Sequence, residues 1–303
     1  MKIETDAPFG LQVSTISAPL PTCDKDRGGD LNGKEFGVVT MQPETAFGID
    51  IGGTGIKGGV VDLRGGVLVG ERFRLDTPQP STTQAVAETA GKVAANFDYQ
   101  GPFGVAFPGV VLHGVVKTAA NVDKGWIDTS LQHAMEPELP GPVTVLNDAD
   151  AAGLAEARYG AGRGRRGLVI VVTFGTGIGI ALVNDGKLVP NAELGHIELD
   201  GYDAESRAAA SARERDGLSW EQWAKRASKY LRTIENLLWP ELFILGGGIS
   251  KKPEKWVPLL KNRTPLVVAQ LINNAGIVGA ALAASEAGED ETDAETTQTL
   301  VLD

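Results

Sequence analysis

The sequence predicts a two-lobed α/β protein, and three observations carry that prediction. Residues 47–62, FGIDIGGTGIKGGVVD, read as a strand, a glycine turn and a second strand. Residues 168–189 repeat the pattern, with an apolar strand (LVIVVTF), the turn Gly175-Thr176-Gly177-Ile178-Gly179 and a hairpin around Asn184-Asp185-Gly186. The chain has 303 residues and is 42% hydrophobic, which is enough for two cores. Two such halves facing each other make a cleft, into which both glycine turns could point.

Taken in order, residues 1–43 are a mixed leader punctuated by Pro21, Gly28 and Gly29, expected to be poorly ordered. The first domain is expected over 44–148. Strands at 46–51, 56–62 and 67–73 form an antiparallel meander, with Arg64-Gly65-Gly66 turning between the last two. Apolar spacing predicts a helix over 82–97, with Ser81 as its cap. Strands follow at 103–107, ending in Pro108-Gly109, at 115–117 and at 143–146. The second domain is expected over 149–285. It opens with a helix over 149–159 and the arginine-bearing loop GAGRGRRG, and then the repeated strand pattern begins. Helices are expected over 204–215, 220–238 and 274–284, with Pro240 stopping the second and a strand at 242–245 running into Gly246-Gly247-Gly248. The Gly/Ala-rich last helix suits close packing, and could return to the first domain. Residues 286–303 are acidic without a basic residue and read as a disordered tail.

Composition limits the function classes. A formal net charge of -11 disfavours a general nucleic-acid binder, although a local basic patch can still take a polyanionic substrate. The single cysteine, Cys23, excludes internal disulfides and a cysteine-rich zinc site. No apolar run is long enough to span a bilayer and no signal-peptide core opens the chain, so the expectation is a cytoplasmic protein with no membrane partner.

Several residues carry candidate chemistry. Asp50 ends the first strand, Gly52, Gly53 and Thr54 turn the chain, and Lys57 lies just beyond. Glycines let backbone amides approach an anion. A carboxylate beside a phosphate would repel it unless neutralised, which suggests a bridging Mg²⁺; the plain alternative is a β-hairpin with an incidental Asp. The stretch is neither a P-loop nor a dinucleotide fingerprint. Asn147-Asp148 follows a strand and precedes a helix. Asp148 is the candidate general base toward an attacking hydroxyl, or else a helix cap, and both roles can coexist. The segment NAELGHIE brings Glu193, His196 and Glu198 together, suited to a polyol's hydroxyls; a metal site is the other reading, but His196 is alone and there is no HExxH. Asn121, in AANVDKGW, is uninformative alone. Lys57 with Arg163, Arg165 and Arg166, and Lys251, Lys252 and Lys255, are candidates for an extended phosphate chain or plain solvated faces.

In order and spacing, FGIDIGGTGIKGGVVD, AFPGVV, AANVDKGW, VLNDADAAGLAEARYGAG, VVTFGTGIGIALVNDGKLV, NAELGHIELDG and LFILGGGIS resemble the ROK family of sugar kinases over about residues 46–285. Within it they look like the bacterial polyphosphate/ATP glucokinases, including the glucomannokinase type. The resemblance implies an actin-like ATPase (ribonuclease H-like) fold, two similar α/β domains around a cleft, and a homodimer. It implies phosphoryl transfer from inorganic polyphosphate or ATP to the 6-hydroxyl of glucose or mannose, with Mg²⁺. By that analogy Asp148 is the base. Asn121, Asn147, Asp148, Glu193, His196 and Glu198 hold the sugar. Asp50 places Mg²⁺ and phosphate. Gly52, Gly53, Thr54 and Lys57 line the phosphoryl path, Thr176, Gly177 and Gly179 form the second phosphate loop, and Gly246, Gly247 and Gly248 lie near the nucleoside or the far phosphate chain. One departure is visible. Many members follow the Gly-His motif with a zinc-binding cysteine cluster, whereas GHIELDG has none, so structural zinc is not expected and other contacts must brace the His196 loop. No paired helical pattern in 1–43 suggests a helix-turn-helix. The rival readings are an ATP-only ROK kinase for another hexose and a non-catalytic sugar sensor.

Overall fold

The computed structural model describes residues 44–299, with side chains through Gly288; the expected leader lies outside the described residues. The first lobe comprises β1 (Thr45–Ile51), β2 (Gly55–Asp62), β3 (Val67–Leu68), β4 (Phe73–Asp76), α1 (Thr83–Ala94), β5 (Phe103–Phe107), the hairpin β6 (Val111–Leu112) and β7 (Val115–Val116), α2 (Leu131–Met135) and β8 (Val143–Asn147). Helix α3 (Asp148–Arg158) leads to the second lobe. There β9 (Leu168–Phe174), β10 (Ile178–Asn184), β11 (Lys187–Val189), β12 (Glu198–Leu199) and β13 (Tyr202–Asp203) precede α4 (Ala204–Ala208), α5 (Ala210–Arg215), α6 (Trp220–Leu238), β14 (Leu242–Gly246), β15 (Leu266–Val268) and α7 (Ala275–Thr299).

The two main sheets follow one plan. The first runs β3-β2-β1-β5-β8, with β4 also on β2; the second runs β11-β10-β9-β14-β15. In each, an antiparallel hairpin leads and parallel strands follow: β1 pairs antiparallel with β2 and parallel with β5, as β9 does with β10 and β14. Parallel strands need crossover connections and bury both faces, which is why β5 and β14 are wholly buried. Phe47, Phe103, Phe107 and Trp126 fill the first core, and Phe174, Trp223, Tyr230 and Trp256 the second.

Helix α7 returns to pack on α3 and across β1 and β5. Glycine makes that approach possible. A Cβ on Gly48 would stand 1.9 Å from the Ile277 carbonyl oxygen, and one on Gly104 1.8 Å from that of Ala280.

Several local expectations need correction. The strand expected over 67–73 breaks in two, because Gly70 turns the chain at φ +84° and lets both pieces pair with β2. Thr82, not Ser81, caps α1 by accepting from the Ala85 amide. Ser81 faces elsewhere, accepting from the Asp123 amide and, through its carbonyl, from the Trp126 indole. The helix expected over 204–215 splits at Ala209, whose backbone is extended. The backbone of 286–299, expected to be disordered, continues the α7 helix.

Candidate active site

A cleft of about 990 Å³ lies between the two sheets, lined from both lobes. The first lobe supplies Asp50, Pro108-Gly109, Asn121 and Asn147; α3 supplies Asp148; the second supplies Thr176, Gly177, Gly179, Glu193, His196, Glu205 and Gly247.

The strand-to-helix junction places the central carboxylate. Asn147 is buried at the end of β8, and its Oδ1 accepts from the Ala149 and Asp150 amides at 2.8 and 3.0 Å. Its Nδ2 donates to the Gly109 carbonyl at 3.1 Å. Asn147 is therefore the helix cap, which leaves the Asp148 carboxylate in the cleft, where Oδ1 accepts from the Ala149 amide at 2.8 Å. Burial foremost, then the negative charge of Asp50, pushes the Asp148 carboxyl up to about 7; the Ala149 hydrogen bond opposes this and the charge of Glu193 adds to it.

Asp50 stands opposite Lys57 in the β1–β2 register, and Lys57 Nζ lies 2.9 Å from its Oδ2 and donates to the Asn273 carbonyl at 3.1 Å. A phosphate beside Asp50 needs that carboxylate's charge offset. Lys57 already supplies a positive charge, and Lys57 is spent on that pair rather than standing free in the donor's path. The two glycine turns also differ. The second lines the cleft, whereas from the first-turn set only Asp50 does so. Gly53 abuts Asn121, where an added Cβ would stand 2.7 Å from the Asn121 Cβ, and the Thr54 carbonyl is taken by Arg74 at 2.7 Å.

The second turn has supports that the sequence did not signal. Glu205 Oε2 accepts from the Ile178 amide at 2.7 Å, and Ser211 Oγ donates to the Thr176 carbonyl at 2.6 Å. Both come from the short helices α4 and α5, and such long-range side-chain contacts leave no local signature. Gly247 also reaches the cleft. Its φ of +83° and the Phe174 backbone, 2.4 Å from a would-be Cβ, admit no side chain there. Gly246 and Gly248 do not line the cleft; Gly248 lines a neighbouring pocket.

The His196 loop is braced without cysteines. His196 Nδ1 pairs with Asp203 Oδ2 at 2.9 Å, Tyr230 Oη donates to the Leu194 carbonyl at 3.4 Å, and the Ala204 amide donates to the Ile197 carbonyl at 2.9 Å. The Asp203 hydrogen bond raises the His196 pKa against its own partial burial. Its Nε2 lies 3.8 Å from Glu193 Oε2. Glu198 does not reach the cleft. It sits exposed on β12, in register with Asp203, so the strand pairing that brings Asp203 to the histidine leaves Glu198 outside.

Asn191 joins the lobes. Its amide donates to Asp150 Oδ2 at 2.7 Å, and its side chain exchanges two hydrogen bonds with the Val111 backbone, at 3.0 and 2.9 Å. Asp150 is 1% exposed, its Oδ1 has no partner, and burial with the charge of Glu193 pushes its carboxyl up to about 6.

Among the described residues no group of three or more His, Cys, Asp or Glu gathers as a metal site, and no helix is long and apolar enough to cross a membrane.

Two α/β lobes that repeat one strand order, with a strand-end carboxylate facing a glycine turn across the cleft, define an actin-like ATPase fold. The chain belongs to the ROK family, whose model matches residues 46–214. It is 59% identical over 238 residues to a polyphosphate glucokinase of Mycobacterium tuberculosis, covering 78% of this chain and 90% of the relative. The crystal structure of an inorganic polyphosphate/ATP-glucomannokinase from Arthrobacter sp. strain KM is 57% identical and superposes with a TM-score of 0.75, over 79% of this chain and 98% of that one. A ROK family glucokinase from Streptomyces griseus, solved with glucose and AMPPNP, is 27% identical with a TM-score of 0.68, over 80% and 99% of the two chains.

Proposed function

We infer that this chain is a polyphosphate/ATP-dependent glucokinase, transferring a phosphoryl group to the 6-hydroxyl of glucose and giving glucose 6-phosphate. The observation that carries the mechanism is Asp148: a cleft carboxylate at the start of a helix capped by its neighbour, with its pKa raised to about 7. A base poised near neutral pH is suited to take the hydroxyl proton as the oxygen attacks. Glu193 and His196, held by Asp203, accept from and donate to the sugar's other hydroxyls, with Asn121 and Asn147 beside them. Glu205 belongs with this set as well as bracing the second turn. Backbone amides of Thr176 and Gly177, in the turn before β10, face the donor's phosphates, with Gly179 beside them as a residue without a side chain; the terminal group is displaced in line without a covalent enzyme intermediate. The donor set suits Mg²⁺ carried on those phosphates, since the one carboxylate beside them, Asp50, is already paired with Lys57 and no all-protein cage is present among the described residues. It would neutralise charge on the transferring group. Mannose as a second acceptor, a homodimer and a cytoplasmic setting complete the reading.

Asp148→Asn tests it. The variant keeps the shape and the hydrogen bond to Ala149 but cannot accept a proton, so turnover falls about 10²–10⁴-fold. Glucose binding, measured calorimetrically, stays within a few-fold. Near-normal turnover removes Asp148 from the base role.

A further inference from the structure

A second pocket, of about 700 Å³, opens from the glycine turn of the catalytic cleft, sharing Gly175 and Thr176 with it. Its far side is basic. Arg213, Lys251 and Lys252 line it against a single carboxylate, Glu214. In a chain of net charge -11 that is a local inversion of sign. The arginine is held in place without spending its donors. Its guanidinium lies 3.8 Å from the centroid of the Trp220 ring, and its buried Nε has no hydrogen-bond partner. Stacking fixes the plane and leaves the N–H edge for an anion. The two lysines make no ion pair among the described residues and come, with two residues between, after the Gly246–Gly248 turn, at the end of the short helical turn Gly248–Lys251.

Other basic residues are engaged or lie elsewhere: Lys117 and Lys124 line the cleft itself, where Lys117 pairs with Asp128 and Lys124 donates to the Ala119 carbonyl. Arg165 and Arg166 line a separate pocket with Asp185 that shares no residue with the cleft. Lys57 is engaged by Asp50, and Lys255 lies outside the basic pocket.

We propose that this pocket holds the distal phosphates of a long inorganic polyphosphate donor, with Arg213, Lys251 and Lys252 gripping the chain beyond the units held at Thr176–Gly179. The proposal rests on the polyphosphate-kinase reading and adds the residues that select for chain length. A short donor ends before the pocket, while a long one passes through it and gains charge-assisted hydrogen bonds.

The test uses the full chain with glucose, comparing long-chain polyphosphate, tripolyphosphate and ATP as donors for wild type, Arg213→Gln and the double variant Lys251→Gln/Lys252→Gln. Arg213→Gln is expected to raise KM for the long chain by about tenfold relative to KM for tripolyphosphate, since one charge-assisted contact is worth about that factor, and the double lysine variant by at least as much. The salt dependence of the long-chain KM should weaken in parallel, and Arg213→Lys should recover part of the loss. An equal rise for both polyphosphates, or no rise, overturns the proposal. So does a rise confined to ATP, which would assign the pocket to the nucleoside. Should Arg213→Gln not fold, the exposed lysine pair still decides the question. If wild type forms no hexose phosphate from any polyphosphate, the functional reading fails. Calorimetric binding of long-chain polyphosphate to wild type and the lysine variant then tests the pocket independently.

Discussion

Asp148 and Asn147 are adjacent and chemically similar, yet the fold gives them different tasks. Asn147 spends both ends of its amide on the Gly109 carbonyl and the first amides of α3. Asp148 keeps its carboxylate for the cleft and meets burial and the charge of Asp50, which raise its pKa to about 7. A base acts only when ionised, and a raised pKa keeps it protonated to higher pH. The pH profile of kcat/KM for glucose should therefore fall about tenfold per unit below an acidic limb near pH 7. Glu193→Gln removes one of the negative charges that hold the proton on Asp148, and should move that limb to lower pH whatever it does to the plateau. A limb that stays put would show that the two carboxylates are not coupled. The residue types at these positions were legible in the sequence, since strand ends favour rigidly placed polar groups. Which neighbour caps and which reacts was not, because that depends on where the β5–β6 turn brings the Gly109 carbonyl. Glu198 illustrates the same limit: its spacing from His196 looked suitable, and strand register turned it away.

At the scale of elements, the repeated strand–turn–strand pattern was readable because alternating and continuous apolar runs mark half-buried and fully buried strands. The close packing of α7 was readable only as a composition. Gly104 now gives it a measurable form, because an added methyl would meet the Ala280 carbonyl oxygen at 1.8 Å, a backbone atom that cannot step aside alone. Gly104→Ala should cost about 1–3 kcal/mol, a fall in melting temperature of roughly 2–4 °C for each kcal/mol. Gly65→Ala is the control, since the nearest atom to its added Cβ is the Val67 Cγ2 at 3.6 Å, ordinary contact. Equal melting temperatures for the two variants would mean that α7 does not press on β5 as described. The short helices α4 and α5 escaped division in the sequence because alanine-rich stretches carry no break signal. The extended backbone at Ala209 comes from the way Glu205 and Ser211 reach the second glycine turn.

For the whole molecule, the cleft is a joint property of two lobes connected by α3, α7 and the Asn191 hydrogen bonds to Asp150 and Val111. An activated phosphoryl donor must be kept from water, so the lobes should close on glucose before transfer. Small-angle scattering of the full chain should show a smaller radius of gyration with saturating glucose than without it; identical profiles would count against closure. The sequence by itself determined the repeated α/β plan, the order of the motifs and the residue types of the cleft, because periodicity and turn chemistry are local. Only the tertiary structure decided that Lys57 pairs with Asp50, that the second glycine turn lines the cleft while the first lies against Asn121, and that Arg213 joins Lys251 and Lys252 in the pocket beside that turn. Those outcomes depend on residues far apart in the chain being brought together by sheet order and helix packing, and no local pattern encodes such distances.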